Sequence, residues 1–327
     1  MRLPSSASAE SSPTDTPVQI TVIIPTHNPD ATRLRRTLEG LRAQTLPAAE
    51  WETLLIDNAS DLAIDAESLR SVAPANLRVV AEPKLGLTHA RKAALRETRT
   101  NLLVFADDDN VLATNYLAEA CRLMATHPAV GLAGGRSLPE FAILPESWQP
   151  EFFPLLALRD PGSLASITTS LRPPGASLNQ YPSAAPIGAG LVARRQAFQP
   201  WLQEGDHRIT GRRGASLASG EDNDIVLCAM RAGWHVAYFP ELSLTHLIPA
   251  SRLEADYLAR LNYGIQKSWM QVLYLHDANP WPPLSPVGAF LRQKKAWFTH
   301  RAWSSPAGRI RWQGACGHFE GRASLLT

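Results

Sequence analysis

Cysteine is scarce in this chain: Cys121, Cys228 and Cys316 stand far apart, with no CxxC pair. An odd, scattered set supports neither a disulfide framework nor a zinc cluster and points to a reducing, cytosolic setting. Long apolar runs are missing too. No stretch approaches the roughly 20 residues that span a bilayer, and the first residues lack the hydrophobic core of a signal peptide. An excess of one charge is absent as well: 32 Lys plus Arg stand against 30 Asp plus Glu, a net +2 over 327 residues. Composition therefore makes no case for binding nucleic acid. Charged residues at 19% and apolar residues at 45% exclude a disordered or coiled-coil chain and leave a globular one.

The small net charge hides an asymmetry. From Phe290 to Thr327 seven basic residues face the single acid Glu320, a local +6 that leaves the preceding residues at −4. Residues 1–17 are rich in Ser, Pro, Ala and Thr with almost no large apolar residue, which predicts a disordered leader. The β-branched run Val18 to Ile24 then predicts a strand buried on both faces, followed by a helix capped by Asp30 or Thr32, with Leu34, Leu38 and Leu41 on one side. Further apolar runs at Thr53–Ile56, Leu77–Ala81, Leu102–Phe105 and Val130–Ala133 alternate with helical patterns near 88–98 and 117–124. Such alternation implies βαβ units and a mainly parallel sheet. Residues 138–186 break the rhythm with prolines and bulky aromatics, an irregular insertion of the kind that is functional or mobile. Regular structure resumes at 187–193, with helices expected near 221–232 and 252–275 and a strand around Val236–Phe239 between them. The region 251–327 reads as a helical, basic, Trp-bearing appendage to a domain at 18–250.

In an open parallel sheet, ligands bind beyond the carboxyl ends of the strands. Those ends carry Pro25-Thr26-His27-Asn28, then Asp57-Asn58-Ala59-Ser60-Asp61, then Asp107-Asp108-Asp109. Like charges gathered on one rim repel unless a cation or ligand donors sit among them. Each acid alone also suits a solvated turn or a helix cap. Asp107 and Asp109, two apart, could together meet a hard divalent ion that also takes phosphate oxygens.

The segments VIIPTHN, LLIDNASD, EPKLGLTHARKAAL, VFADDDN and SGEDNDIVLCAMRAGW resemble those of family 2 glycosyltransferases, in that order, over about residues 18–250. The resemblance implies a GT-A fold, a Rossmann-like, mainly parallel sheet flanked by helices. It also implies an inverting transfer from a nucleoside-diphosphate sugar, with UDP the commonest carrier, in polysaccharide or glycan assembly. Pro25, Thr26 and Asn28 would line the nucleotide pocket, Asp57 would take a donor edge of the base and Arg91 would reach the base or diphosphate. Asp107 would sit by the ribose, with Asp108 as the variable middle position of that stretch. Asp109 would be the metal ligand of the DxD motif, holding Mg2+ or Mn2+.

Transfer from such a donor requires help for a departing diphosphate and removal of a proton from the acceptor hydroxyl. By the same resemblance Asp222, in the Glu221-Asp222 pair, is the base. A helix N-terminus would keep it ionised, although acids in a first helical turn are also ordinary complements to the dipole. His246 is a candidate second metal ligand and Arg252 a candidate phosphate contact. Gly190, with Gly188 and Ala189, and Trp148 fall where an acceptor would enter. The acceptor expected is a glycan, a lipid-linked chain or another hydroxyl compound. The competing readings are a sugar-phosphate nucleotidyltransferase, disfavoured because PTHNPD lacks a Gly-rich basic loop, and a non-catalytic binding module. The basic tail suits either anionic lipid at the inner face of a membrane or a plain helical cap packed through its tryptophans.

Overall fold

The computed structural model describes residues 18–203 and 220–325, so the expected disordered leader at 1–17 lies outside the described residues. The chain runs β1 (Ile20–Thr26), α1 (Ala31–Arg42), β2 (Trp51–Asn58), α2 (Ala66–Leu69), β3 (Leu77–Glu82), α3 (Leu87–Glu97), β4 (Leu102–Phe105), β5 (Asn110–Leu112), α4 (Tyr116–Thr126) and β6 (Val130–Phe141). It continues through β7 (Ser166–Thr168), β8 (Leu191–Arg194), α5 (Arg195–Gln203), α6 (Glu221–Arg231), β9 (His235–Ile248), α7 (Ala255–Leu275), α8 (Pro286–Thr299) and α9 (Pro306–Ala323).

Every residue of β1 but Pro25 is buried, and alternate side chains serve two layers. Ile20, Val22 and Ile24 pack with Leu34, Leu38 and Leu41 of α1 and with Tyr116, Leu117 and Ala120 of α4. Ile23 turns the other way, joining Leu54, Ile56, Leu103 and Phe105 against α3 and α6. Of the two expected caps for α1, Asp30 is the one used, accepting a hydrogen bond from the Arg33 N–H at 3.0 Å.

The strands lie in the order β3-β2-β1-β4-β8-β6-β9-β5, with β7 also on β9. β3, β2, β1 and β4 are mutually parallel, while β8 runs antiparallel to both β4 and β6. β6 and β9 pair in parallel, and β5 and β7 are antiparallel to β9. The sheet is thus parallel in one half and mixed in the other. The antiparallel members β5 and β7 are only three residues long, too short for periodicity to announce them, while β8 falls at the end of the 187–193 stretch where regular structure was expected. Within the 138–186 stretch the chain completes β6, makes a 3-10 turn at Pro150–Leu156 and adds β7.

A third apolar cluster joins Phe152 and Leu156 of that turn to Leu258 and Leu261 of α7 and to Ala307 and Ile310 of α9. The C-terminal helices are therefore packed against the sheet-bearing part of the chain.

Candidate functional site

One cavity of about 440 Å³ opens at the carboxyl ends of β1, β2 and β4. Its lining includes Pro25, Thr26, Asp107, Asp108, Asp109, Arg91, Glu221, Asp222, His246 and Arg252. Four remaining candidates lie outside that lining. Asn28, exposed and with φ 49°, ties its side chain to the next loop: its Nδ2 donates to Asp61 Oδ2 at 3.0 Å and its Oδ1 accepts from the Asp61 N–H at 2.8 Å. The Asp57 carboxylate caps its own loop, accepting from the N–H groups of Ser60 at 3.2 Å and Ile64 at 3.0 Å. Gly190, at φ +70°, accepts a hydrogen bond from buried Tyr116 and leaves no room for a Cβ beside Leu244. The Trp148 indole donates to Glu146 at 3.0 Å and packs on Phe152, away from the opening.

The acidic turn after β4 places three carboxylates in two environments. Thr26 donates to Asp108, yet burial and neighbouring Asp109 push the Asp108 carboxyl up to about 6. Asp109 is buried; burial works against its charge, but the hydrogen bond and charge of His246 and the charge of Arg252 hold it below the ordinary carboxylate value. Its Oδ1 lies 3.3 Å from His246 Nε2 and its Oδ2 lies 2.9 Å from the Arg252 guanidinium. β5 pairs with β9 in register, setting Asn110 opposite His246, which is how a residue more than a hundred positions away reaches this turn.

These groups fit a divalent cation. Adjacent ligands of an octahedral ion with bonds of about 2.1 Å are separated by about 3 Å, close to the Asp109–His246 spacing. His246 Nδ1 is buried without a hydrogen-bond partner. Carboxylate and imidazole together form a donor set open to magnesium-like and borderline ions. Arg252 shares the same carboxylate, and its NH1 lies 3.3 Å from His246 Nε2.

On the opposite wall α6 follows its N-cap Gly220 and carries Glu221 and Asp222 in its first turn. Arg91 of α3 is buried between them, pairing with Glu221 at 2.7 Å and with Asp222 Oδ1. Burial opposes its charge, but the two carboxylates raise its pKa further above the ordinary guanidinium value. The Arg91 guanidinium is thus committed to two carboxylates of α6. Asp222 keeps 31% of its side chain exposed, and its other oxygen faces Gly188, where a Cβ would collide with it.

Several contributors gave little signal in the sequence. Asn58 holds the loop before α3, donating to Lys84 O at 2.7 Å while its Oδ1 accepts from the Gly86 N–H at 2.7 Å. Thr88 donates to Glu221. Tyr257, Leu261 and Ile265 of α7, with Pro154 to Ala157, form an apolar wall. Behind α6, Asp224 Oδ1 lies 2.7 Å from Nε2 of buried His276, with Cys228 Sγ at 3.9 Å. These three could also present ligand atoms to one ion, all lying within 4.8 Å of one another.

A mixed α/β sheet with an acidic turn and an acidic helix start facing each other across its strand ends defines a GT-A type of glycosyltransferase fold. The family model described as glycosyl transferase family 2 matches residues 21–179. The match closes before α6, so Asp222, His246 and Arg252 join the site through tertiary structure. Among solved structures, the mannosyltransferase PcManGT from Pyrobaculum calidifontis, in complex with GDP-Man and Mn2+, is similar at 19% identity and TM-score 0.53, over 94% of this chain and 78% of that one. GalNAc-T7 with UDP, GalNAc and Mn2+ aligns at 14% identity and TM-score 0.54, over 94% and 56%. S. aureus TarS 1-349 in complex with UDP-GlcNAc aligns at 14% and TM-score 0.50, over 94% and 92%. The chain spans 44% of a longer S. aureus TarS chain. No curated protein matches it by sequence.

Proposed function

We propose that this glycosyltransferase moves a sugar from a nucleoside-diphosphate sugar to a hydroxyl acceptor with inversion, using a divalent cation and Asp222 as general base. The observation that carries this reading is the convergence of Asp107–Asp109, His246 and Arg252 on the cavity that Asp222 lines from the other side. Asp222 takes the proton of the acceptor hydroxyl while that oxygen bonds to the anomeric carbon. The bond from that carbon to the diphosphate oxygen breaks on the far side, and the nucleoside diphosphate leaves with the electron pair. Direct displacement requires no second nucleophilic carboxylate. Asp109 and His246 would hold the cation, which when bound neutralises charge on the departing diphosphate. Arg252, already beside Asp109, is the phosphate contact.

Arg91 acts through the base and not on the donor: its ion pair holds the Asp222 carboxylate aimed past Gly188. Pro25, Thr26, Asp107 and Asp108 border the nucleotide. Asn28 and Asp57 serve that pocket by fixing its loops. Residues 18–250 form the catalytic part, with 251–327 as the helical region that adds α7 to its wall. The GDP-Man, UDP and UDP-GlcNAc of the structural neighbours support a nucleotide-sugar donor.

The test is a panel of UDP- and GDP-sugars, with hydrolysis and binding measured with and without Mn2+. Turnover or binding of at least one donor, lost on chelation, is expected. A full panel neither bound nor hydrolysed under either condition would sink the reading.

A further inference from the structure

α8 is amphipathic in the inverted sense. Its buried side is small, Ala289 and Ala296, while Val287, Leu291 and Phe298 are 69%, 61% and 67% exposed. At 3.6 residues per turn these three fall within about 40° of arc, a continuous outward stripe where a helix on a water-facing surface carries polar residues. Lys294 and Lys295, both exposed, flank the stripe on either side. The Lys294 ammonium lies 5.2 Å from the centre of the Phe290 ring, itself 54% exposed. Trp303, 56% exposed and 5.9 Å from Phe298, extends the patch past the helix end.

Of the tail's tryptophans, which suit either a lipid surface or the packing of a helical cap, Trp297 and Trp312 take the packing role. Trp297 stacks edge-on against Trp312 at 4.7 Å, and the Trp312 indole donates to Gln293 O at 3.1 Å, so this pair glues α8 to α9. The outward apolar surface belongs to other residues. From Pro286 to Trp303 the chain holds Arg292, Lys294, Lys295 and Arg301 and no acid at all.

We propose that α8 seats the protein on an anionic lipid bilayer surface, with Val287, Leu291, Phe298 and Trp303 entering the acyl boundary and the four cations at headgroup level. An apolar stripe bordered by lysines is the signature of a helix lying in the membrane interface. Anionic headgroups complement the uncompensated positive charge. A second copy would bring four positive charges against four, and a nucleic acid would leave the apolar stripe in water. None of this depends on the catalytic reading, since none of these residues lines the cavity.

The experiment uses the whole chain with sedimenting vesicles of phosphatidylcholine alone or with added phosphatidylglycerol. Binding is expected on the anionic vesicles, falling with salt. A Leu291→Glu, Phe298→Glu variant should lose about tenfold or more of the bound fraction with an unchanged melting temperature, both sites being exposed. Brominated lipids should quench tryptophan fluorescence of the unmodified chain, a readout that needs no variant. Equal partition on both vesicle types, no quenching, or a dimer in solution that the same variant dissolves would each overturn the proposal.

Discussion

Asp222 has one carboxylate oxygen held by Arg91 and the other open toward Gly188. That division suits a base: an ion pair fixes its rotamer while the side chain stays partly exposed. Replacing it by Asn leaves Arg91 paired with Glu221 at 2.7 Å, so the fold and the donor pocket should survive. We expect Asp222→Asn to lower kcat by about 10²–10⁴ with donor affinity unchanged, the loss typical of a removed general base. Stopped-turnover assays with a parallel donor titration check this; weakened donor binding with normal turnover would reassign the residue. Asp222 was singled out in the sequence by the resemblance of GEDNDI to the family's motif, since acids opening a helix are ordinary by themselves. Its partner was legible only as a residue: nothing in the spacing of Arg91 says that its guanidinium belongs to carboxylates 130 positions away. Asn28 and Asp57 show the converse. Their motifs stand out, but short polar side chains in tight turns satisfy the local backbone first.

At the scale of elements, the parallel half of the sheet and helices α1, α3 and α6 follow from apolar runs and periodicity. β6 and β9 run on well past the expected Val130–Ala133 and Val236–Phe239, to Phe141 and Ile248, because they pair with each other around a bulge. Helix α9 shows a different kind of concealment. Gly314, Gly317 and Gly321 face α7, and a Cβ on Gly317 would meet the Tyr263 carbonyl. The contact face is therefore made of missing side chains, which a hydrophobic-periodicity reading overlooks. In an isolated helix Gly→Ala gains about 1 kcal/mol. Here Gly317→Ala is expected to destabilise by about 1–3 kcal/mol through overpacking, opposite in sign. Thermal melting of the variant decides between the two, and a raised melting temperature would mean α9 does not press on α7 as described.

For the whole molecule, the C-terminal region is more than a cap. α7 supplies Tyr257, Leu261 and Ile265 to the cavity wall, and α9 is fastened behind it by ion pairs. Arg311 hydrogen-bonds Glu151 of the 150–156 turn and so holds that carboxyl below its ordinary 4.5. Burial tends to raise Glu320, but Lys267, at 2.6 Å, and Tyr263 hold it down too. A depressed carboxyl contributes stability that is present above its unfolded value and lost as pH falls through the folded one. Both pairs are partly exposed, worth about 0–1 kcal/mol each. The melting temperature should therefore decline modestly below about pH 4.5, and a Glu151→Gln, Glu320→Gln variant should show a flatter acid limb. Identical acid limbs would remove these pairs from the account of docking.

The parallel strands, the helices between them and the acids at the strand ends were determined by local sequence, because burial on a sheet face and helix amphipathicity are written in short-range periodicity. Which carboxylate meets which cation was decided by tertiary structure alone. Arg91 and α6, Asp109 and His246, and α9 and α7 meet through strand pairing and helix packing between distant segments, and the energy of a charge depends on the partners that burial forces upon it.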